Sequence, residues 1–347
     1  MPRMARNSPS TIVGASSIPV AAAAPADIKA VYALVAEDFA AVNALIPRRL
    51  TSDVGLVEEI GKHIIESGGK RLRPLLVLLS ARCLGYNGDE HVKLAAIIEF
   101  LHTATLLHDD VVDRSDLRRG RATANHLWGN APSVLVGDFL YSRAFQLMVE
   151  LGRIDIISIL SSATNVIAEG EVQQLANVGN PQISEADYFD VIRAKTAMLF
   201  QAASHTAAVL ASHDEAHITA MADYGLTLGL AYQLVDDWLD YAGDPAVMGK
   251  NAGDDLAEGK MTLPLIHTLS HGSSIDRQIV RDAIETRSSA ALAEVIVAVK
   301  RCGALDRTRH DAEIQSRRAI DLLQDLPRGA HHDALVDLAR FCVSRLN

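Results

Sequence analysis

Apolar residues recur three and four positions apart from about Ile28 to Leu346, and runs that alternate apolar with polar residues, as a half-buried strand requires, are scarce. That spacing lays an apolar stripe along each of a series of helices, which confines the chain to an all-α fold. Aromatic residues make up only 5% of a chain that is 49% hydrophobic. A large core must therefore be built from Ala, Leu, Val and Ile. The periodicity predicts helices near 27–47, 53–68, 71–84, 91–113, 132–150, 154–177, 185–212, 214–241 and 261–270, with several more to the C-terminus. Ser184 and Asp187 stand at capping-box spacing, and Pro132 suits a first helical turn.

No apolar stretch approaches the roughly 20 residues that span a bilayer, so a soluble protein is expected. The formal net charge of −10 argues against nucleic acid as the main partner, because binding to phosphate backbones draws on surplus Lys and Arg. Cys83, Cys302 and Cys342 are far apart and form no CxxC pair, which suggests neither a disulfide framework nor a zinc site. They suit a reducing cytoplasm. Residues 1–26, rich in Ala, Ser and Pro and carrying Arg3 and Arg6 with no acid before Asp27, have some presequence character. They read best as a disordered tail ahead of one domain over 27–347.

Two glycine-bearing, highly charged segments resist helix assignment, Arg114 to Pro132 and Gly243 to Lys260. Each follows a helix tipped by a DDxxD pattern: Asp109, Asp110 and Asp113 in the first, Asp236, Asp237 and Asp240 in the second. Gln233, Asp236, Asp237 and Asp240 fall at i, i+3, i+4 and i+7, one stripe on one helix face. A single such stripe is ordinarily a solvated acidic face. Two of them facing across a low-dielectric cleft would repel strongly, and divalent cations would remove the objection. Oxygen-only ligands select hard ions, and Mg²⁺ in particular shares its coordination between one or two carboxylates, water and substrate phosphates. The missing partner is then a diphosphate, and Arg118 and Arg119 can fork onto its oxygens. The alternative for these arginines is an exposed loop kept soluble by charge.

Lys70, Arg71 and Arg73 follow a Gly-Gly turn that opens an apolar helix, either a second anion site or an ordinary helix start with snorkelling cations. His102 lies seven residues before Asp109 and so shares the aspartate face. No Ser/His/Asp set or evident reactive Cys stands out. A reaction in which diphosphate is the leaving group would need no protein nucleophile.

With "GGKRLRP", "LLHDDVVDRSDLRRG", Gly137–Asp138, Lys195–Ala197, "YQLVDDWLD" and "GKNAGDDLAEGKMTLP" in that order, the chain resembles the trans-isoprenyl diphosphate synthases, the polyprenyl synthetase family, over nearly all of 27–347. "VGDFLYSRAFQLM" and "VIAEGEVQQL" bring it nearest the bacterial long-chain members. The resemblance implies a bundle of about a dozen mostly antiparallel helices around a deep central cavity, with the two aspartate motifs at its mouth. It implies a homodimer, with at most peripheral membrane contact for product release. Asp109, Asp110, Asp113, Asp236, Asp237 and Asp240 would gather about three Mg²⁺ ions around the allylic diphosphate. Arg118, Lys195, Gln233, Lys250 and Lys260 would serve the same group. Lys70, Arg73, His102 and Arg119 would hold isopentenyl diphosphate, while Thr196 and Gln233 would turn oxygen dipoles toward the allylic cation. The reaction implied is repeated trans condensation onto a farnesyl or geranylgeranyl diphosphate primer, giving an octaprenyl-length product for a quinone side chain.

Ala104 and Thr105 precede Asp109 by five and four residues, about 6–7.5 Å deeper along the axis. Both are small, where by the same resemblance a bulky aromatic would stop growth early. Tyr141, Phe145 and Met148 stand at i, i+4 and i+7 on the helix after Pro132, and Met148 is the choice for a deeper floor, simple core packing being the alternative. A geranylgeranyl, solanesyl or decaprenyl product is the neighbouring reading. A helical di-iron protein would need a second Glu-x-x-His besides Glu99–His102. A terpene cyclase would not need "GGKRLRP", and a catalytically silent partner subunit would not need every charged motif residue to be present.

Overall fold

The computed structural model describes residues 27–242 and 253–346. The expected tail and Lys250 lie outside them. The described chain is almost wholly helical: α1 Ile28–Leu34, α2 Ala36–Arg49, α3 Gly55–Glu66, α4 Leu72–Cys83, α5 Glu90–Val112, α6 Ala124–Trp128, α7 Asn130–Leu151, α8 Ile154–Asn177, α9 Glu185–Ile192, α10 Met198–Ala211 and α11 Glu215–Ala242. Then come α12 Asp254–Ala257, α13 Leu263–His271, α14 Ser274–Thr286, α15 Leu292–Arg301, α16 Ala304–Leu322 and α17 Ala330–Ser344. No single described helix is long and apolar enough to cross a membrane.

The helices expected from periodicity are found, with two differences. The stretch read as one helix over 27–47 bends by 77° at Val35. The break lets α1 pack against α17 while α2 packs against α5, so each half buries its own stripe. The stretch read as 185–212 contains one π-helical turn, Arg193–Ala197, between α9 and α10. The Ser184–Asp187 capping box forms as expected, and Pro132 lies in the first turn of α7.

The aspartate-bearing helices are central. α5 packs along α7, and α11 packs against both α10 and α16. Beneath them α4 buries nearly every side chain, including Leu75 to Leu79. Burying each of those apolar side chains contributes about 1.5–3 kcal/mol. One core cluster gathers around α4, α5, α7 and α10. A second gathers around the C-terminal half of α11 with α13 and α14. Between α5 and α6 a two-residue hairpin pairs Leu117 with Ala122 and Arg118 with Arg121. Its turn residues, Arg119 and Gly120, both have positive φ, 54° and 75°. That pair of angles matches the twist of a tight hairpin.

Candidate active site

The first motif occupies the last turn of α5, and Asp113 is its C-cap residue. The second lies near the C-terminal end of α11. Carboxylates at these ends oppose the helix dipole, typically by about 0.3–1 kcal/mol each, so they need external cations, and the fold supplies them. Arg118 brings Nε and Nη2 each to 2.7 Å from one oxygen of Asp110. Lys260 Nζ lies 2.9 Å from Asp113, Lys195 Nζ 3.8 Å from Asp109, and Arg345 Nη1 2.8 Å from Asp236. The hairpin that carries Arg118 is tied to the end of α5 by Asn125, whose Nδ2 donates to the carbonyls of Asp110 and Ser115, both at 3.1 Å.

The π turn joins the two motifs. Lys195 faces Asp109, and Thr196, the next residue, donates to Gln233 Oε1 at 2.8 Å. Gln233 in turn donates to Asp237 Oδ1 at 2.7 Å, and the Tyr188 hydroxyl donates to Asp237 Oδ2 at 2.6 Å. A widened turn re-aims side chains that a regular helix would stack. Gly170 on α8 makes room for it, since a Cβ there would sit 2.6 Å from that of Ala194. These groups border a cleft lined by Lys195, Thr196, Gln233, Asp237 and Lys260, with Ile192 and Met261 as apolar wall.

The residues expected to form a second anion site gather where the α3–α4 turn meets α5. Arg73, half-buried, stacks its guanidinium 4.3 Å over the Phe200 ring and places Nη1 3.2 Å from His102 Nε2. Burial, then Arg73, Arg119 and Arg118, hold the imidazole well below its ordinary pKa. His102 is therefore neutral, and Nε2 accepts from Arg73. Arg119 donates to the Gly68 carbonyl. A Cβ on Gly69 would collide with the Arg119 guanidinium, and its φ of +139° also favours glycine. Lys70 lies 5.2 Å over the Phe341 ring; burial, then Arg345, lowers its pKa.

Sequence reasoning missed several residues that the fold adds. Glu171 and Gln174, one turn apart on α8, accept from Lys195 Nζ at 2.6 and 2.8 Å. Their i, i+3 spacing was the available signal. Glu171 has its pKa pushed up to about 7 by burial and by Asp109, and Glu258, beside Lys260, is likewise raised to about 7 by burial. Tyr188 and Arg345 carried no local signal.

The chain-length candidates separate. Ala104 and Met148 are fully buried, whereas Thr105 is half-buried on the Asp109 side of α5. Phe145, 39% exposed, does not line the interior, and Tyr141 stacks on His108 with ring centroids 5.9 Å apart.

The donor set fits a hard cation. The motifs offer carboxylate oxygens alone, and Asp110 Oδ2 is buried with no hydrogen-bond partner. Among the described residues no three ligating side chains converge into a ready cage. Burial pushes Cys83 up to about 11 and Cys342 up to about 12, so neither of these two thiols is a ready nucleophile.

The family model described as Polyprenyl synthetase matches residues 54–300. The octaprenyl diphosphate synthase of Escherichia coli K12 is 50% identical over 320 residues, 92% of this chain and 99% of that one. An all-trans-nonaprenyl-diphosphate synthase (geranyl-diphosphate specific) of Rhodobacter capsulatus is 44% identical over 91% of this chain and 97% of its own. The crystal structure of a polyprenyl synthase from Caulobacter crescentus CB15, complexed with calcium and isoprenyl diphosphate, superposes with a TM-score of 0.90. It is 46% identical and the match covers 92% of this chain and 98% of that one.

Proposed function

The chain belongs to the polyprenyl synthetase family, and from that premise we propose that it is a Mg²⁺-dependent octaprenyl diphosphate synthase, extending farnesyl or geranylgeranyl diphosphate with isopentenyl diphosphate. It is a trans-prenyltransferase with the isoprenoid synthase fold. One observation carries the site assignment: of two consecutive residues, Lys195 lies beside Asp109 of the first motif, and Thr196 bonds to Gln233, which donates to Asp237 of the second. A diphosphate beside Lys195 is then within the reach of both.

In this reading the allylic C–O bond ionises, the isopentenyl double bond attacks the allylic carbon to form a trans C–C bond, and a proton is lost to the departed diphosphate. Asp109, Asp110, Asp113, Asp236, Asp237 and Asp240 would hold Mg²⁺, about three ions, which supplies positive charge to the leaving group. Arg118, Lys195 and Lys260, with Lys250, donate to the same diphosphate. Preorganised donors of this kind stabilise charge that develops in the transition state. Thr196 Oγ1 and Gln233 Oε1 present dipoles to the cation left behind. Lys70, Arg73, His102 and Arg119 hold isopentenyl diphosphate. Ala104, Thr105 and Met148 set the length of the product, which serves as a quinone side chain, and the protein itself is cytoplasmic in this reading.

The protein acts as a homodimer in this reading. Leu135 and Val149 on α7, with Val172 and Leu175 on α8, are exposed large apolar side chains, and such surface marks association sites. The experiment that tests the function is chromatography of products made from radiolabelled isopentenyl diphosphate with each short allylic primer. Long-chain products from farnesyl or geranylgeranyl diphosphate support it; no extension of any primer by the pure chain overturns it.

A further inference from the structure

Glu99 lies on α5 three residues before His102, on the face that meets the "GGKRLRP" loop. Its side chain is only 12% exposed, and Arg71 Nε is 3.7 Å from Oε1. Oε2 is buried without a hydrogen-bond partner. Burial raises its pKa, and Arg71, then Arg73 and Arg119, offset only part of the rise. A buried carboxylate used as a structural clamp is expected to make short, forked contacts to its arginine. This one instead stands loosely beneath a group of cations that the reaction above leaves to isopentenyl diphosphate.

The chemistry gives that placement a consequence. In each condensation the allylic C–O bond breaks and its electron pair departs with the allylic diphosphate. The electron pair of the isopentenyl double bond forms the new C–C bond, and a proton leaves the neighbouring carbon for the released diphosphate. The lengthened product therefore carries the diphosphate that arrived with isopentenyl diphosphate, and it stands among Lys70, Arg73 and Arg119. A further round requires that diphosphate to move to the aspartate motifs. Cations without a counter-charge would retain it.

We propose that Glu99 is the resident counter-ion of the isopentenyl diphosphate site, weakening its hold on diphosphate so that the growing product transfers for the next condensation. This rests on the function proposed above. Removing the charge with an isostere strengthens diphosphate binding and shortens the product.

The test is calorimetric titration of isopentenyl diphosphate, with Mg²⁺ and no primer, into the wild type and Glu99→Gln, followed by product analysis from farnesyl diphosphate. Glu99→Gln is expected to bind about tenfold tighter, equivalent to about 1.4 kcal/mol, to release shorter products, and to keep its KM for the primer. Glu99→Asp, which keeps the charge, stays near wild type. Should Glu99→Gln fail to fold with Arg71 left uncompensated, Arg71→Gln/Glu99→Gln is compared with Arg71→Gln, and the same tightening and shortening are expected. Unchanged or weaker binding, or tighter binding with unchanged product length, overturns the inference. Either result obtained beside a wild type that makes long chains leaves the proposed function standing; a wild type that extends no primer overturns that function itself.

Discussion

Lys260 reaches from the segment after the second aspartate motif to the first, its ammonium 2.9 Å from a carboxylate oxygen of Asp113. Burial alone would lower the lysine's pKa, but Asp113, Asp255 and Glu258 hold it above its ordinary value. It is thus a fixed positive charge between two acidic helix ends. Lys260→Ala is expected to raise the KM for the allylic primer about tenfold, since charge-assisted contacts contribute about 1.5–3 kcal/mol. The KM for isopentenyl diphosphate should move little. Initial rates with each substrate varied in turn decide it, and an unchanged primer KM would remove Lys260 from the allylic site.

Asp109→Ala and Asp236→Ala should each reduce turnover by about 10³-fold or more, because each removes electrostatic support for the departing charge. The fold should survive, as neither carboxylate belongs to a core cluster. Circular dichroism beside a radiolabel assay checks both points. Near-normal turnover of folded Asp109→Ala in Mg²⁺ would refute the metal assignment.

The fold class was legible because each helix carries its own apolar stripe, and so were the aspartates, whose spacing places them on one face. What the sequence hid depends on contacts between distant segments. Arg345 meets Asp236 across 109 positions, and no local pattern in "VSRLN" announces it. The π turn was equally invisible: 185–212 keeps its helical apolar spacing through Lys195, and only packing against Gly170 reveals the widened turn. Phe145 matched the i+4 spacing of an interior floor, yet it faces outward, because periodicity identifies a helix face without saying what that face meets.

Gly69→Ala should act through Arg119. The added methyl collides with the guanidinium in a backbone conformation that favours glycine. The expected outcome is a KM for isopentenyl diphosphate raised about tenfold with the primer KM near normal, as for Arg119→Ala and Lys70→Ala. In the Arg119→Ala background the same change should add little, since coupled residues are non-additive. Full additivity would mean that Gly69 acts elsewhere.

Glu171 makes the metal-free protein sensitive to pH. Its folded pKa of about 7 stands above the ordinary 4.5, so the native state holds the proton more tightly than the unfolded chain does. The stability this contributes is complete below about pH 4.5 and is lost as pH rises through about 7. Thermal unfolding in EDTA should therefore fall in Tm across that window, and Glu171→Gln should flatten the fall. The same slope in wild type and variant would assign it to another group, Glu258 first.

Product length supplies the last prediction, and the structure divides it between two neighbours. Thr105 is four residues before Asp109, about 40° around the helix and about 6 Å along its axis. It keeps accessible surface, so a ring there fills open space. Ala104 is fully buried, so a ring there must also displace packed neighbours, at a cost of about 1–3 kcal/mol. Thr105→Tyr should shorten the product toward geranylgeranyl length with Tm nearly unchanged. Ala104→Tyr should shorten it as well, but with a lower Tm. Mass spectrometry of dephosphorylated products beside a melting curve separates the outcomes. A lowered Tm with an undiminished long-chain distribution from Ala104→Tyr would mean that position 104 is core alone. The same distribution from active Thr105→Tyr would mean that the growing chain does not pass this face of α5.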